Sequence, residues 1–310
     1  MARIVFLAPF AKNEITGGVK TIYRHVEVLT ELGFDAAVFQ PDGPPSWFET
    51  RTRVLSRFTP GPKDILVFPE VLNGILIEMA QAPTAARKVL FCQAHYYTLF
   101  NAIEPERYGA LGFERVACQS EIAKGFLERV LRLSDIAVLP CFIDADLFVE
   151  RDKSPQIATI PKKLPREAAA IQKIFTLKYP ELAATTGWDI IENRSERETA
   201  EIFGRSAVVL SLPFLESFGL VPLEAMASGA IVVGFTGYGA LEYATPENGF
   251  WFAPDHLEET ADALARVLAG LKTRDAAILQ IQEAGFATAK RYNKQRAAAA
   301  LTSFYGPLAA

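Results

Sequence analysis

Two carboxylates, Glu216 and Glu224, stand with seven residues between them in PFLESFGLVPLEAMASGAIVV, residues 213–233. Between them lie a Phe-Gly turn and Pro222, and proline favours the first position of a helix. The spacing therefore predicts a helix starting near Pro222, with Glu224 in its first turn. The backbone N–H groups at such a start, around Phe218 to Val221, make an anion site. The helix dipole adds about 0.3–2 kcal/mol for a negative ligand. Gly219 lets the backbone approach that ligand closely. Carboxylates repel a bare phosphate, so a ligand that suits the whole stretch also carries hydroxyls that carboxylates can accept. A phosphorylated sugar compound has both. The plainer alternative for Glu224 is a favourable charge at a helix start.

Something must hold this stretch at the end of a strand, and the sequence supplies it. Short apolar runs alternate with helical periods: RIVFLAPF (3–10), a helical 18–33, DAAVFQ (35–40), DILVFPE (64–70), KVLFCQAH (88–95) and RVACQS (115–120). A second series follows: QIATI (156–160), TTGWDII (185–191), AVVLSL (207–212), AIVVGF (230–235) and NGFWFA (248–253). Continuously apolar strands need cover on both faces, so the rhythm implies parallel sheets flanked by helices. The polar, Pro-containing stretch 137–156 breaks it. Two doubly wound, Rossmann-like domains follow, 1–150 and 151–291, with a closing helix over 292–310. In such domains ligands gather beyond the C-terminal ends of the strands, which is where AVVLSL delivers Glu216.

Composition narrows the function classes. The chain has 310 residues, half of them hydrophobic, and a formal net charge of −4. Neither half, divided at residue 150, has the basic excess of a nucleic-acid binder. Cys92, Cys118 and Cys141 form no CxxC pair, which leaves zinc and thioredoxin-like readings without support and suits small buried hydrophobes in a reducing compartment. The apolar start is too short for a secretory leader. No run approaches the ~18 apolar residues of a membrane span. The expectation is a cytoplasmic α/β protein.

The residues 216–233 closely resemble the signature of the retaining glycosyltransferases of family 4, two-domain GT-B enzymes with nucleotide-sugar donors. The resemblance extends over most of the chain. APFAKNEITGGVKTIYRHVEVLTELG (8–33) is similar to their first strand, Gly-Gly loop and helix, and LPCFIDADLF (139–148) to their interdomain segment. GFTGYGALEYATPENGFWF (234–252) is similar to their Gly-Gly, Glu and Asn-Gly stretch, and RYNKQRAAAALTSFYGPL (291–308) to the helix that packs back on the first domain. The resemblance implies that Glu216 holds the donor sugar and Glu224 the ribose. Backbone amides from Ser217 through Phe218 and Gly219 to Leu220 would meet the diphosphate, and the Gly17-Gly18 loop would face the cleft from the other domain. It implies no metal and no further cofactor: the nucleotide-diphosphate sugar is a co-substrate. It also implies a same-face displacement, assisted by the leaving phosphate, onto a glycan or other hydroxyl acceptor in polysaccharide or glycoconjugate synthesis.

One segment departs from the pattern. Most members carry an Arg followed shortly by a Lys after the second domain's first strand, to neutralise the leaving diphosphate. Here the segment reads QIATIPKKLPREAAAIQKIF (156–175). It resembles a Pro-Arg-Lys variant, which assigns the clamp to Lys162 and Lys163 with Arg166 as helper. A solvated basic turn is the other reading. By the same resemblance His95, expected to end the strand 88–95, lies near the donor sugar, and Tyr96 and Tyr97 line the acceptor side. The loops 41–58 and 96–112 are expected to choose the acceptor. Asp144-Ala145-Asp146 has a metal-binding DxD spacing but falls in the interdomain pattern. Rival readings on the same fold are a sugar-nucleotide epimerase or phosphorylase, and a non-catalytic nucleotide- or glycan-binding subunit. Peripheral membrane association and oligomeric state stay open.

Overall fold

The computed structural model describes residues 2–100 and 105–310, so residues 101–104 of the expected 96–112 acceptor loop lie outside the described residues. The chain divides into two compact units, residues 1–142 with 294–310, and residues 143–293.

In the first unit β1 (Arg3–Leu7), α1 (Gly17–Glu31), β2 (Asp35–Phe39), β3 (Val54–Leu55) and β4 (Ile65–Pro69) are followed by α2 (Ile75–Gln81) and β5 (Arg87–Cys92). Two short 3-10 segments, His95–Phe100 and Pro105–Leu111, precede β6 (Arg115–Cys118), α3 (Glu121–Val130) and β7 (Ile136–Val138). The strands form one parallel sheet in the order β3-β2-β1-β4-β5-β6-β7. The side-chain period of two explains how an all-apolar strand serves both faces. Ile4 and Phe6 of β1 pack with Ile22 and Val26 of α1, whereas Val5 and Leu7 pack with Leu76 of α2 and Leu127 of α3. A last helix of the chain supplies Leu301, Phe304 and Tyr305 to the α1 face.

The second unit runs β8 (Ser154–Thr159), α4 (Pro165–Lys178), α5 (Pro180–Ala183), β9 (Gly187–Ile190), α6 (Glu196–Arg205) and β10 (Ser206–Ser211). Then come α7 (Leu220–Ala227), β11 (Ile231–Phe235), β12 (Phe250–Phe252), α8 (Leu257–Thr273) and α9 (Ala276–Lys290); α10 (Lys294–Ala309) is the helix that completes the first unit. The parallel order is β12-β11-β10-β8-β9. Val208 and Leu210 of β10 lie in the cluster that Ile171 and Phe175 of α4 and Leu264 of α8 complete. No helix among the described residues is long and apolar enough to cross a membrane.

All three cysteines are buried and unbridged. His25 of α1 is completely buried, with Nε2 3.0 Å from the Pro140 carbonyl oxygen. Nε2 therefore carries the proton, and Nδ1 has no partner among the described residues. Burial pushes the His25 pKa down to about 4. A base with a depressed folded pKa contributes stability present above pH 6.5 and lost as pH falls towards 4. The full loss is on the order of 3 kcal/mol. We expect His25→Gln to flatten the fall in melting temperature between pH 6.5 and 4.5; a slope as steep as the wild type's would assign the loss elsewhere.

Candidate active site

The second unit reverses its strand order between β8 and β10, and such a switch point opens a crevice beyond the strand ends. The loops leaving these two strands carry Lys163 and Glu216, and the structure brings them together. Lys163 Nζ lies 2.9 Å from Glu216 Oε1 and donates to the Phe214 carbonyl oxygen at 2.9 Å. Both side chains are partly exposed, 35% and 26%, so the pair is accessible to a ligand. As an ion pair half in water it contributes only about 0–1 kcal/mol to stability. Lys162 and Arg166 are exposed on the same loop and on the first turn of α4.

Helix α7 starts at Leu220 rather than near Pro222, because Gly219 at φ +82° turns the chain and serves as its N-cap. Pro222 is thus the third helical residue, and Glu224 lies beyond the first turn, buried at 5% exposure. As in α2, α4 and α8, no side chain caps α7. Its leading N–H groups suit an anion. A Cβ on Gly219 would come within 3.3 Å of Glu216 Oε2 and 3.2 Å of the Tyr243 hydroxyl, so the Glu216 carboxylate sits directly beside the helix start. Ser217 is buried, and Phe218 belongs to an edge-on aromatic triangle with Tyr243 and Tyr292, its ring centroid 5.7 and 5.3 Å from theirs. Phe218 as a whole is buried, with the chain at Gly239 against its backbone nitrogen, so it shapes the turn from within. Tyr243, not singled out by the sequence reading, anchors the turn by donating its hydroxyl to the Gly219 carbonyl.

In the first unit the switch point lies between β1 and β4. Gly17 and Gly18 are not a loop there: they form the first turn of α1 behind the Thr16 cap. The Gly18 carbonyl accepts from Gln93 Nε2 at 2.9 Å. Gln93 also donates its backbone N–H to Glu70 Oε2 at 2.9 Å, and its carbonyl accepts from the Gln119 side chain. Burial pushes the Glu70 carboxyl up to about 7. Sequence reasoning did not single out Glu70, Gln93 and Gln119; their signal is a polar residue directly after an apolar strand, and the structure buries all three.

The strand before His95 ends at Cys92, and His95 opens the 3-10 segment instead. Its ring is fully buried, 4.2 Å from that of Tyr96 and 4.6 Å from that of Phe126, and burial lowers its pKa to about 4. The imidazole is neutral at physiological pH and packs against Tyr96. Tyr96 is half-buried, whereas Tyr97 is exposed with its ring centroid 6.5 Å from that of Phe100. Asp144 Oδ1 accepts the Asp146 N–H, a local turn.

Residues 181–283, from α5 to α9, match the family described as glycosyl transferases group 1. An alpha-1,6-glucosyltransferase of Actinobacillus pleuropneumoniae serotype 7 (strain AP76) is 26% identical over 238 residues, covering 74% of this chain and 72% of its own length. Among solved structures, sucrose-phosphate synthase from Thermosynechococcus elongatus superposes with a TM-score of 0.74 at 15% identity, over 99% of both chains. A glycosyltransferase from Rickettsia africae ESF-5 gives 0.70 at 14% identity, over 99% of this chain and 98% of that one.

Proposed function

We propose that the chain, whose residues 181–283 match the glycosyl transferases group 1 and whose two units have the GT-B fold, transfers a hexose from a nucleotide-diphosphate sugar to a glycan hydroxyl with retention of configuration. The observation that carries the reading is the meeting of Lys163 with Glu216 at the second unit's switch point, beside the uncapped start of α7. A diphosphate at that start exchanges solvent for the N–H groups of Gly219, Leu220 and Val221, and takes Lys163 as counter-cation. Glu216, released from Lys163, accepts sugar hydroxyls, and Glu224 the ribose hydroxyls. Lys162 and Arg166 add positive potential around the leaving group. His95 acts by packing against Tyr96, and Tyr96 and Tyr97 serve the acceptor side.

In the transfer the bond from the anomeric carbon to the phosphate oxygen breaks and a bond to the acceptor oxygen forms on the same face. The acceptor's proton passes to the departing phosphate oxygen, so nucleoside diphosphate leaves carrying it. Catalysis comes from placing the two oxygens and from stabilising charge that develops on the leaving group. The alpha linkage in the Actinobacillus relative's name supports retention, since the common nucleotide glucose donor is itself alpha-linked.

The test offers UDP-glucose, UDP-N-acetylglucosamine and GDP-mannose with a set of oligosaccharide acceptors, and reads nucleoside diphosphate release and the anomeric proton of the product. An alpha-linked product supports the proposal. A beta-linked product overturns retention, and donor binding without turnover favours a non-catalytic subunit.

A further inference from the structure

Beside Glu216 the chain reads Thr236-Gly237-Tyr238-Gly239, and the two glycines are dictated by contact. A Cβ on Gly237 would meet Pro213 at 2.6 Å, and one on Gly239 would meet the Phe218 nitrogen at 2.3 Å and the Glu216 carbonyl oxygen at 2.8 Å. The main chain of 237–239 is therefore pressed against the backbone of the catalytic loop 213–218. Tyr238 sits between them at φ +70°, ψ −50°, a conformation rare and strained for any L-residue and least suited to a bulky one. Nor is deep burial what holds the tyrosine there, since the residue is 37% exposed. Glycine would fit this backbone better, yet a large aromatic ring stands there.

The backbone places residue 238 beside Glu216. Glu216 and Tyr238 form an isolated parallel bridge, and the Glu216 N–H donates to the Gly237 carbonyl at 3.3 Å. In the facing loop, just before Glu216, Phe214 is exposed with its carbonyl held by Lys163, and Leu215 is itself at φ +50°. Strained residues concentrate where a ligand is gripped. A hexopyranose presents hydroxyls at its rim and C–H groups on its faces. A carboxylate suits the rim, and an aromatic ring, apolar on its face and polar at its tip, suits the C–H face.

We propose that Tyr238 is a specificity-determining residue that covers the C–H face of the donor's hexose while Glu216 accepts its hydroxyls. This rests on the nucleotide-sugar reading above. Its consequence is selective: Tyr238 recognises the sugar, not the nucleotide.

The experiment compares wild type with Tyr238→Gly, Tyr238→Asn and Tyr238→Phe. Asparagine removes the ring while keeping a side chain at the position, so it keeps the test alive if the glycine loosens the loop. The glycine protein should melt at or above the wild-type temperature. Both ringless proteins should bind UDP or GDP as the wild type does, while the KM for the nucleotide sugar that the wild type uses rises roughly tenfold, the scale of one lost aromatic contact. Tyr238→Phe should keep the wild-type KM. Wild-type KM in the ringless proteins, or an equal loss in Tyr238→Phe, overturns the inference. A wild type that uses no nucleotide sugar overturns the underlying reading instead, so the two failures are told apart.

Discussion

Replacing Glu216 by alanine is expected to lower turnover at least ~10²-fold, the scale of removing one contact that strengthens in the transition state. The fold should survive. The side chain is partly exposed, and its ion pair with Lys163 is of the kind that contributes about 0–1 kcal/mol. The contacts that fix the loop are made by the backbone of residue 216 and by Gly239 and Tyr243, all retained in the variant. Glu216→Gln keeps the shape and one acceptor oxygen, so its loss should be smaller than alanine's. Melting temperature and kcat measured on the same preparations check this. A well-folded Glu216→Ala protein with wild-type turnover would remove Glu216 from the site.

The second large effect is expected at Lys163. On the proposed reading Lys163→Ala removes the counter-cation of the leaving diphosphate and should cost about 10²–10³-fold in kcat. It should also weaken binding of the nucleoside diphosphate product, because that charge attracts the diphosphate before and after transfer. Lysine acts as a point charge rather than a planar fork, so Lys163→Arg should recover part of the rate without restoring it fully. Lys163 and Glu216 touch, so their losses should not add: the double variant tests the pair through its coupling energy. Lys162→Ala should have the smaller effect, since the structure brings Lys163 to the carboxylate. Equal effects of the two lysines would point to a diffuse basic turn instead.

Both units' strands were legible where they were apolar. The run RIVFLAPF predicts a buried strand, and β1 forms there because Ile4 and Phe6 feed one face while Val5 and Leu7 feed the other. The two-residue β3 was not legible, since Val54-Leu55 is paired by position beside β2 rather than by a pattern of its own. The ends of elements shifted for identifiable reasons. Pro222 marks a helix start in sequence, but the left-handed Gly219 sets the actual one two residues earlier. Gly17-Gly18 reads as a loop by glycine content, yet Thr16 caps a helix that begins with both glycines.

At the site, the pairing of residues 163 and 216 could not be read from spacing, because it depends on β8 and β10 lying side by side in a reordered sheet. His95 follows an apolar strand much as Glu216 does, but its ring turns into the packing of Tyr96 and Phe126 while Glu216 stays accessible. Both are polar residues placed at or beyond the end of an apolar run, and only the structure shows which side chain packs inward. Tyr238 shows the same limit from the other side, since a Gly-Tyr-Gly tripeptide gives no hint that its middle residue is strained and beside a carboxylate.

The most direct test of the central claim, that the second unit holds a nucleotide diphosphate at Lys163 and the start of α7, is calorimetric titration of the purified protein with UDP and GDP, repeated with Lys163→Ala. The account predicts saturable one-to-one binding of at least one of them, with affinity at least about tenfold lower in the variant, a loss of about 1.4 kcal/mol. Equal affinity in the two proteins, or no binding of either nucleotide to the wild type, would contradict it.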